Sequence, residues 1–173
     1  MKKCIYLLLI MVPFISFQSC EEKYEPGGTL VQKMAGDWYC ELQFEDDGEW
    51  INLLSLYGYD YFLMTTYNTA ANNNEMFIDD GEELWPFKGK VTCDVSKLTF
   101  NTGGEQTDNY YDEDVPFEVM NGKVLPGAAR SITGYATDSI YMEIEFADDP
   151  GEIYRIVGHR RTGFPEDDEF HLW

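Results

Sequence analysis

The sequence predicts an all-β domain, most simply an antiparallel up-and-down β-barrel, on three observations. Short runs alternate apolar and polar residues with a period of two, the mark of half-buried strands. Turn signals, among them Asp46-Asp47-Gly48, Asn72-Asn73-Asn74, Asp79-Asp80-Gly81 and Asp148-Asp149-Pro150-Gly151, recur at intervals of about ten residues. Helical periodicity is almost absent, and the 12 Tyr and 11 Phe suit pleated surfaces. Eight to ten short strands follow, joined mostly as sequential hairpins, which favours a barrel over a sandwich. The Cys-Trp-Cys spacing of immunoglobulin domains is missing.

Residues 1–19 read as a processing segment outside the fold. Lys2 and Lys3 form a positive start, and Ile5 to Phe17 is apolar but too short to span a bilayer. The segment ends at Phe17-Gln18-Ser19-Cys20, which resembles a bacterial lipobox, with Phe17 and Gln18 departing from its usual residues. Cys20 is then the lipidated first residue of the mature chain. Acyl chains there would hold the protein on a membrane, since each buried methylene contributes about 0.8 kcal/mol. Residues 20–28 are charged and contain Pro and Gly, as a tether requires. Residues 29–173 form one domain.

The net charge is −20, and becomes −22 once Lys2 and Lys3 leave with the leader. Such a chain is repelled by nucleic acid, and no cluster of Lys or Arg reverses this locally. Nucleic acid is excluded as a partner.

Thr29 to Ala35 is helix-compatible and runs into the first strand, Gly36 to Phe44. That strand carries Trp38, Cys40, Leu42 and Phe44 on one face and Tyr39, Glu41 and Gln43 on the other. Asp46-Asp47-Gly48 is a hairpin signal. Glu49–Tyr57 and Asp60–Asn68 follow as strands around Gly58, then Glu75–Ile78, Phe87–Val95 and Lys97–Phe100. Asn101 to Asp114 is polar and irregular. Val115–Met120 and Lys123–Leu125 flank Asn121-Gly122, a two-residue hairpin signal, and Pro126–Ala136 reads as a loop. Asp138–Phe146 alternates most cleanly, with Ile140, Met142, Ile144 and Phe146 inward. Ile153–Arg161 is the last strand and Thr162–Trp173 a tail.

Gly36-Asp37-Trp38 at the head of the first strand, after a short helical turn, resembles the barrel-opening motif of lipocalins. Longer stretches resemble a more specific family, the lipid-binding putative hydrolase lipoproteins of Gram-negative bacteria, whose barrel is lipocalin-like. They are AGDWYCEL (35–42), TYNTAAN (66–72), EMFIDDGEELWPFKGKVTCD (75–94), ATDSI (136–140) and GHRRTGF (158–164). The resemblance covers most of the mature chain. It implies an outer-membrane lipoprotein, on the periplasmic or the cell-surface face, that binds a lipid-like molecule. Neither "lipid-binding" nor "hydrolase" transfers as an activity by name alone.

The residues permit three functional readings. In the first, an eight-stranded barrel holds one small apolar or amphipathic ligand. Leu42, Phe44, Met64, Met76, Ile78, Cys93, Phe117, Ile140, Met142 and Ile144 would then line the site, or else fill the barrel as a solid core. Trp38 and Arg160 would plug one end, as lipocalins do with a Trp and an Arg of their own. In the second, a glycan- or protein-binding accessory module uses Tyr57, Tyr59, Tyr61 and Trp85 as platforms. The third is a hydrolase, but there is neither a Gly-x-Ser-x-Gly elbow nor a His-Glu-x-x-His helix. The two histidines are His159 and His171; Ser139, His159 and Asp138 could meet only through the fold. No catalytic residue, cofactor or metal ligand is assigned. Asp108, Asp112, Glu113 and Asp114 offer oxygen ligands but lack the EF-hand spacing for calcium, and the Cys and His positions lack zinc spacing.

Overall fold

The computed structural model describes residues 27–168. The leader, Cys20 and His171 lie outside them. The strands are β1 (Gly36–Asp46), β2 (Glu49–Asn52), β3 (Phe62–Asn68), β4 (Glu75–Asp79), β5 (Lys88–Asp94), β6 (Thr99–Asn101), β7 (Phe117–Arg130), β8 (Ala136–Phe146) and β9 (Tyr154–Arg160). Each pairs antiparallel with its neighbour, and β9 returns to pair with β1, closing the sheet. Gln43 of β1 faces Arg155 of β9 on one edge and Asn52 of β2 on the other, so β2 and β3 share the second edge as one interrupted strand. The result is a closed eight-stranded antiparallel barrel.

Connections alternate between its ends. The base carries residues 29–35, 69–74, 95–98, 131–135 and 161–168; the far end carries the loops 53–61, 80–87, 102–116 and 147–153. Alternation fixes the inward face: Trp38, Cys40 and Leu42 of β1, Phe62 and Met64 of β3, and Ile140, Met142, Ile144 and Phe146 of β8 are all buried. Phe44 is only half-buried, because β1 is by then leaving the barrel wall for the β1–β2 hairpin. Asp47 and Gly48, at φ 50° and 85°, give that hairpin its two left-handed turn residues.

Several stretches differ from, or refine, the sequence reading. Glu49–Tyr57 is not one strand: Leu53–Tyr57 is a turn of 3-10 helix. Asn52 caps it by accepting from Leu54 N at 3.1 Å, and Gly58, at φ 85°, ends it by donating back to the turn. A side chain able to cap and a glycine able to turn left-handed outweigh the alternating pattern.

Asn121-Gly122 is not a hairpin turn but a bulge within the single strand β7. Pairing with β8 shifts by one residue between Met120 and Lys123, and Asn121 takes φ 52°. A Cβ on Gly122 would meet Phe100 at 2.4 Å, so only glycine fits where β7 crosses β6. β7 also runs on to Arg130, through much of the stretch read as a loop. Finally, Thr29–Ala35 forms turns, with Val31 O accepting from Met34 N and Ala35 N, and seats Val31 and Met34 in the core. The tail includes a helical turn, Pro165–Asp168.

Candidate functional site: the barrel interior and its two ends

At the base, Trp38 stands opposite Arg160 in the β1–β9 pairing. The Arg160 guanidinium lies 4.5 Å from the Trp38 ring centroid. Its Nη1 donates to Ala35 O at 2.6 Å, its Nη2 donates to Lys33 O at 3.1 Å, and its Nε lies 3.2 Å from Asp138 Oδ2. Trp38 Nε1 donates to Thr66 Oγ1 at 2.8 Å, which donates onward to Met34 O at 2.7 Å. Every polar atom of the Trp38–Thr66 pair is thus satisfied inside an apolar shell. Gly36 makes room: a Cβ there would meet Arg160 Nη1 at 2.5 Å. Arg161 points the other way and pairs with Asp168 and, at 3.8 Å, with Asp37.

Above this base the interior is apolar and contains methionine. Nine of the ten lining candidates lie in one core cluster, and Phe44 stays outside it. Met64, Met76, Ile78, Phe117, Ile140, Met142 and Ile144 have no surface that water could touch. A void large enough for water would leave some, so these side chains fill the interior against one another. Cys40 and Cys93 are free thiols, on strands that do not pair. Burial raises both pKa values, that of Cys93 to about 12, so neither is a reactive thiolate.

The far end is closed by the loop 80–87. Its organiser is Asp80, fully buried, whose carboxylate accepts from the backbone N–H of Glu82, Leu84 and Phe87 at 3.0–3.2 Å. Burial raises the Asp80 pKa, and these N–H groups limit the rise. Glu83 Oε2 accepts from Leu63 N at 3.0 Å, which staples the loop to β3 beyond the point where β4 ends. The loop turns Trp85 inward onto Phe146, at 4.6 Å and 5° between planes, with Tyr154 edge-on at 5.2 Å. Phe87, Phe117 and Phe146 continue this aromatic layer into the barrel. Trp85 is therefore part of a lid and not a free platform. Tyr57 and Tyr59 are 73% and 53% exposed, whereas Tyr61 packs edge-on against His159.

On the outer wall, Asp79 accepts from Tyr67 Oη and Tyr111 Oη, both at 2.7 Å, and pairs with Lys88 Nζ at 3.1 Å. Burial pushes its pKa up, but the two phenols, Gly81 N–H and Lys88 outweigh it, and the net shift is downward. Within the loop 102–116, Asn109 is buried; it accepts from Lys88 N and Tyr111 N and donates to Pro86 O and Val115 O. Among the described residues no three His, Cys, Asp or Glu side chains converge.

The residues of the hydrolase reading do not form a relay. Ser139 Oγ donates to Gly158 O at 3.0 Å, and Asp138 pairs with Arg160. His159 is 7% exposed between Tyr39 and Tyr61, and its Nε2 has no hydrogen-bond partner among the described residues. Burial lowers its pKa against the opposing pull of Asp167. Two features escaped sequence reasoning. Asp79-Asp80-Gly81 read only as a turn, although Asp80 also builds the lid. The Asn121 bulge hollows the outer wall beside β6.

A family model described as lipid-binding putative hydrolase matches residues 23–165, and the chain belongs to that family. No curated protein matches the chain.

Proposed function

We propose that this member of the lipid-binding putative hydrolase family is a cell-envelope lipoprotein that takes an apolar or amphipathic, lipid-like ligand into its barrel. The observation that carries the reading is an apolar, methionine-containing interior above the base of a barrel of this family, closed at the far end by a loop and not by paired strands. Because the interior is filled, a ligand enters by displacing side chains. Unbranched methionines such as Met64, Met76 and Met142 change rotamer at low cost. The lid is the element whose opening admits the ligand: Trp85 and Leu84 sit on a loop, held by stacking, by packing on the core and by side-chain contacts from Asp80, Glu83 and Asn109, and not by a strand ladder.

Anchoring at Cys20 in the outer membrane of a Gram-negative bacterium is supported by Lys2-Lys3, the apolar run and Ser19-Cys20. The described chain begins at the base, where Leu30 N donates to Asn72 Oδ1. The described chain thus enters the barrel at the plugged end, opposite the lid. The exposed Leu56, Tyr57 and Tyr59 favour a second reading, in which this rim contacts a macromolecule.

The test uses the Cys20→Ser chain, which carries no acyl group of its own. Native mass spectrometry should find a co-purifying apolar adduct, and an unlabelled fatty acid should displace a fluorescent one saturably. Neither adduct nor displacement would refute lipid binding. Membrane partition and palmitate uptake surviving Cys20→Ser would refute the anchor.

A further inference from the structure

We propose that the groove on the outer wall at the β7 bulge is a second binding site, separate from the barrel interior, for a neutral oligosaccharide. The groove encloses about 490 Å³, within the range of about 300–1,000 Å³ typical of small-molecule sites. Two backbone features create it. β6 is only three residues long and pairs with β7 at two positions, so the wall is thin there. The bulge turns both Met120 and Asn121 outward and bends β7, with Gly122 and Phe100 as the floor. Bulges often re-aim side chains beside functional sites.

The polar lining is Thr99, Asn101, Asn121, Lys123, Tyr141 and Glu143. Glu143 is the fixed point: its Oε1 accepts from Tyr141 Oη at 2.5 Å and its Oε2 accepts from Asn121 Nδ2 at 2.6 Å. Lys123 Nζ rests 4.4 Å from the Tyr141 ring centroid and, among the described residues, has no carboxylate within 4 Å. Arg155, outside the lining, lies 5.7 Å from the same ring centroid and is itself 3.7 Å from the Trp50 ring. Asn101 Oδ1 accepts from Gly103 N at 2.8 Å, so what its carboxamide has left to offer a ligand is chiefly its N–H₂ donors.

The groove therefore offers donors (Lys123, Asn101, Thr99) and acceptors (Glu143, the Asn121 carbonyl) side by side, around one positive and one negative charge. An anion would meet Glu143 in a chain of net charge −20, and a cation would meet Lys123. A ligand with adjacent hydroxyls, each both donor and acceptor, matches every lining group.

The test is a glycan array followed by calorimetric titration, using the full chain in an amine-oxide detergent so that no sugar detergent competes. Neutral gluco-, xylo-, manno- and chito-oligosaccharides are the probes. Asn121→Gly removes the carboxamide and keeps the left-handed backbone; Glu143→Gln and Lys123→Gln keep shape and change charge. The wild-type chain should bind at least one neutral series. Glu143→Gln and Lys123→Gln should each bind it about tenfold or more weakly, the loss of one hydrogen bond involving a charged group, and Asn121→Gly about two- to tenfold more weakly, the loss of a neutral one. Melting temperature and fatty-acid displacement should not change, which separates this site from the interior. If Asn121→Gly lowers the melting temperature, the other two variants carry the test. No binding of any neutral oligosaccharide, binding of acidic glycans alone, or equal binding by wild type and variants overturns the proposal.

Discussion

Arg160→Ala removes four contacts from the base of the barrel, of which the part-exposed pair with Asp138 contributes about 0.2–1 kcal/mol. The guanidinium over Trp38 contributes about 0.5–2 kcal/mol. The two charged hydrogen bonds to Ala35 O and Lys33 O contribute about 1.5–3 kcal/mol each, with discounts because the side chain is 26% exposed and water can replace part of them. Releasing the ordered arginine returns about 1.5–2 kcal/mol of side-chain entropy. The net loss is about 3 kcal/mol, which for a domain of this size lowers the melting temperature by about 6–12 °C. Arg161→Ala breaks pairs whose arginine is 37% exposed, and should cost about 0.2–1 kcal/mol. Calorimetric melting of the two variants makes the comparison. A double-mutant cycle with Trp38→Leu, which removes the aromatic face, then isolates the ring contact, with an expected coupling of about 0.5–2 kcal/mol. Equal shifts for Arg160→Ala and Arg161→Ala, or a coupling of zero, would refute the plugged base.

A Cβ at residue 158 would meet Tyr39 O at 2.6 Å and Cys40 Sγ at 2.5 Å on the β1–β9 seam that closes the barrel. Gly158→Ala should therefore cost about 2–3 kcal/mol in urea unfolding, and a negligible cost would mean the seam is looser than described. The lowered pKa of buried His159 gives stability a sign. Below the unfolded value of 6.5 and down to the folded value, the unfolded chain binds more protons, so stability falls as pH drops through that window. His159→Gln should flatten the fall of melting temperature as pH drops below about 6.5; an unchanged slope would assign it to other groups. Cys40 and Cys93 should ignore a thiol reagent in the native processed chain and react as two thiols after non-reducing denaturation. A missing pair would require a disulfide between strands that do not neighbour each other.

The sequence by itself determined the features that repeat locally. Alternation in Trp38-Cys40-Leu42 and in Ile140-Met142-Ile144-Phe146 assigned β1 and β8 and their inward faces, because a strand's side chains must alternate across the sheet. Parity also assigned Arg160 to the face of Trp38 and Arg161 to the other. Local signals became ambiguous wherever one residue pattern serves two structures. Asn121-Gly122 supplies left-handed backbone to a turn or to a bulge, and only the pairing of β7 with both β6 and β8 selects the bulge. Asn52 and Gly58 could flank a strand or cap a helical turn, and the break between β2 and β3 along one edge of β1 decides it. Whether the barrel is hollow or filled, whether Trp85 is a platform or a lid, and where the outer wall is grooved all depend on strands far apart in the chain. Such distances are set by barrel closure and core packing, which no window of neighbouring residues contains.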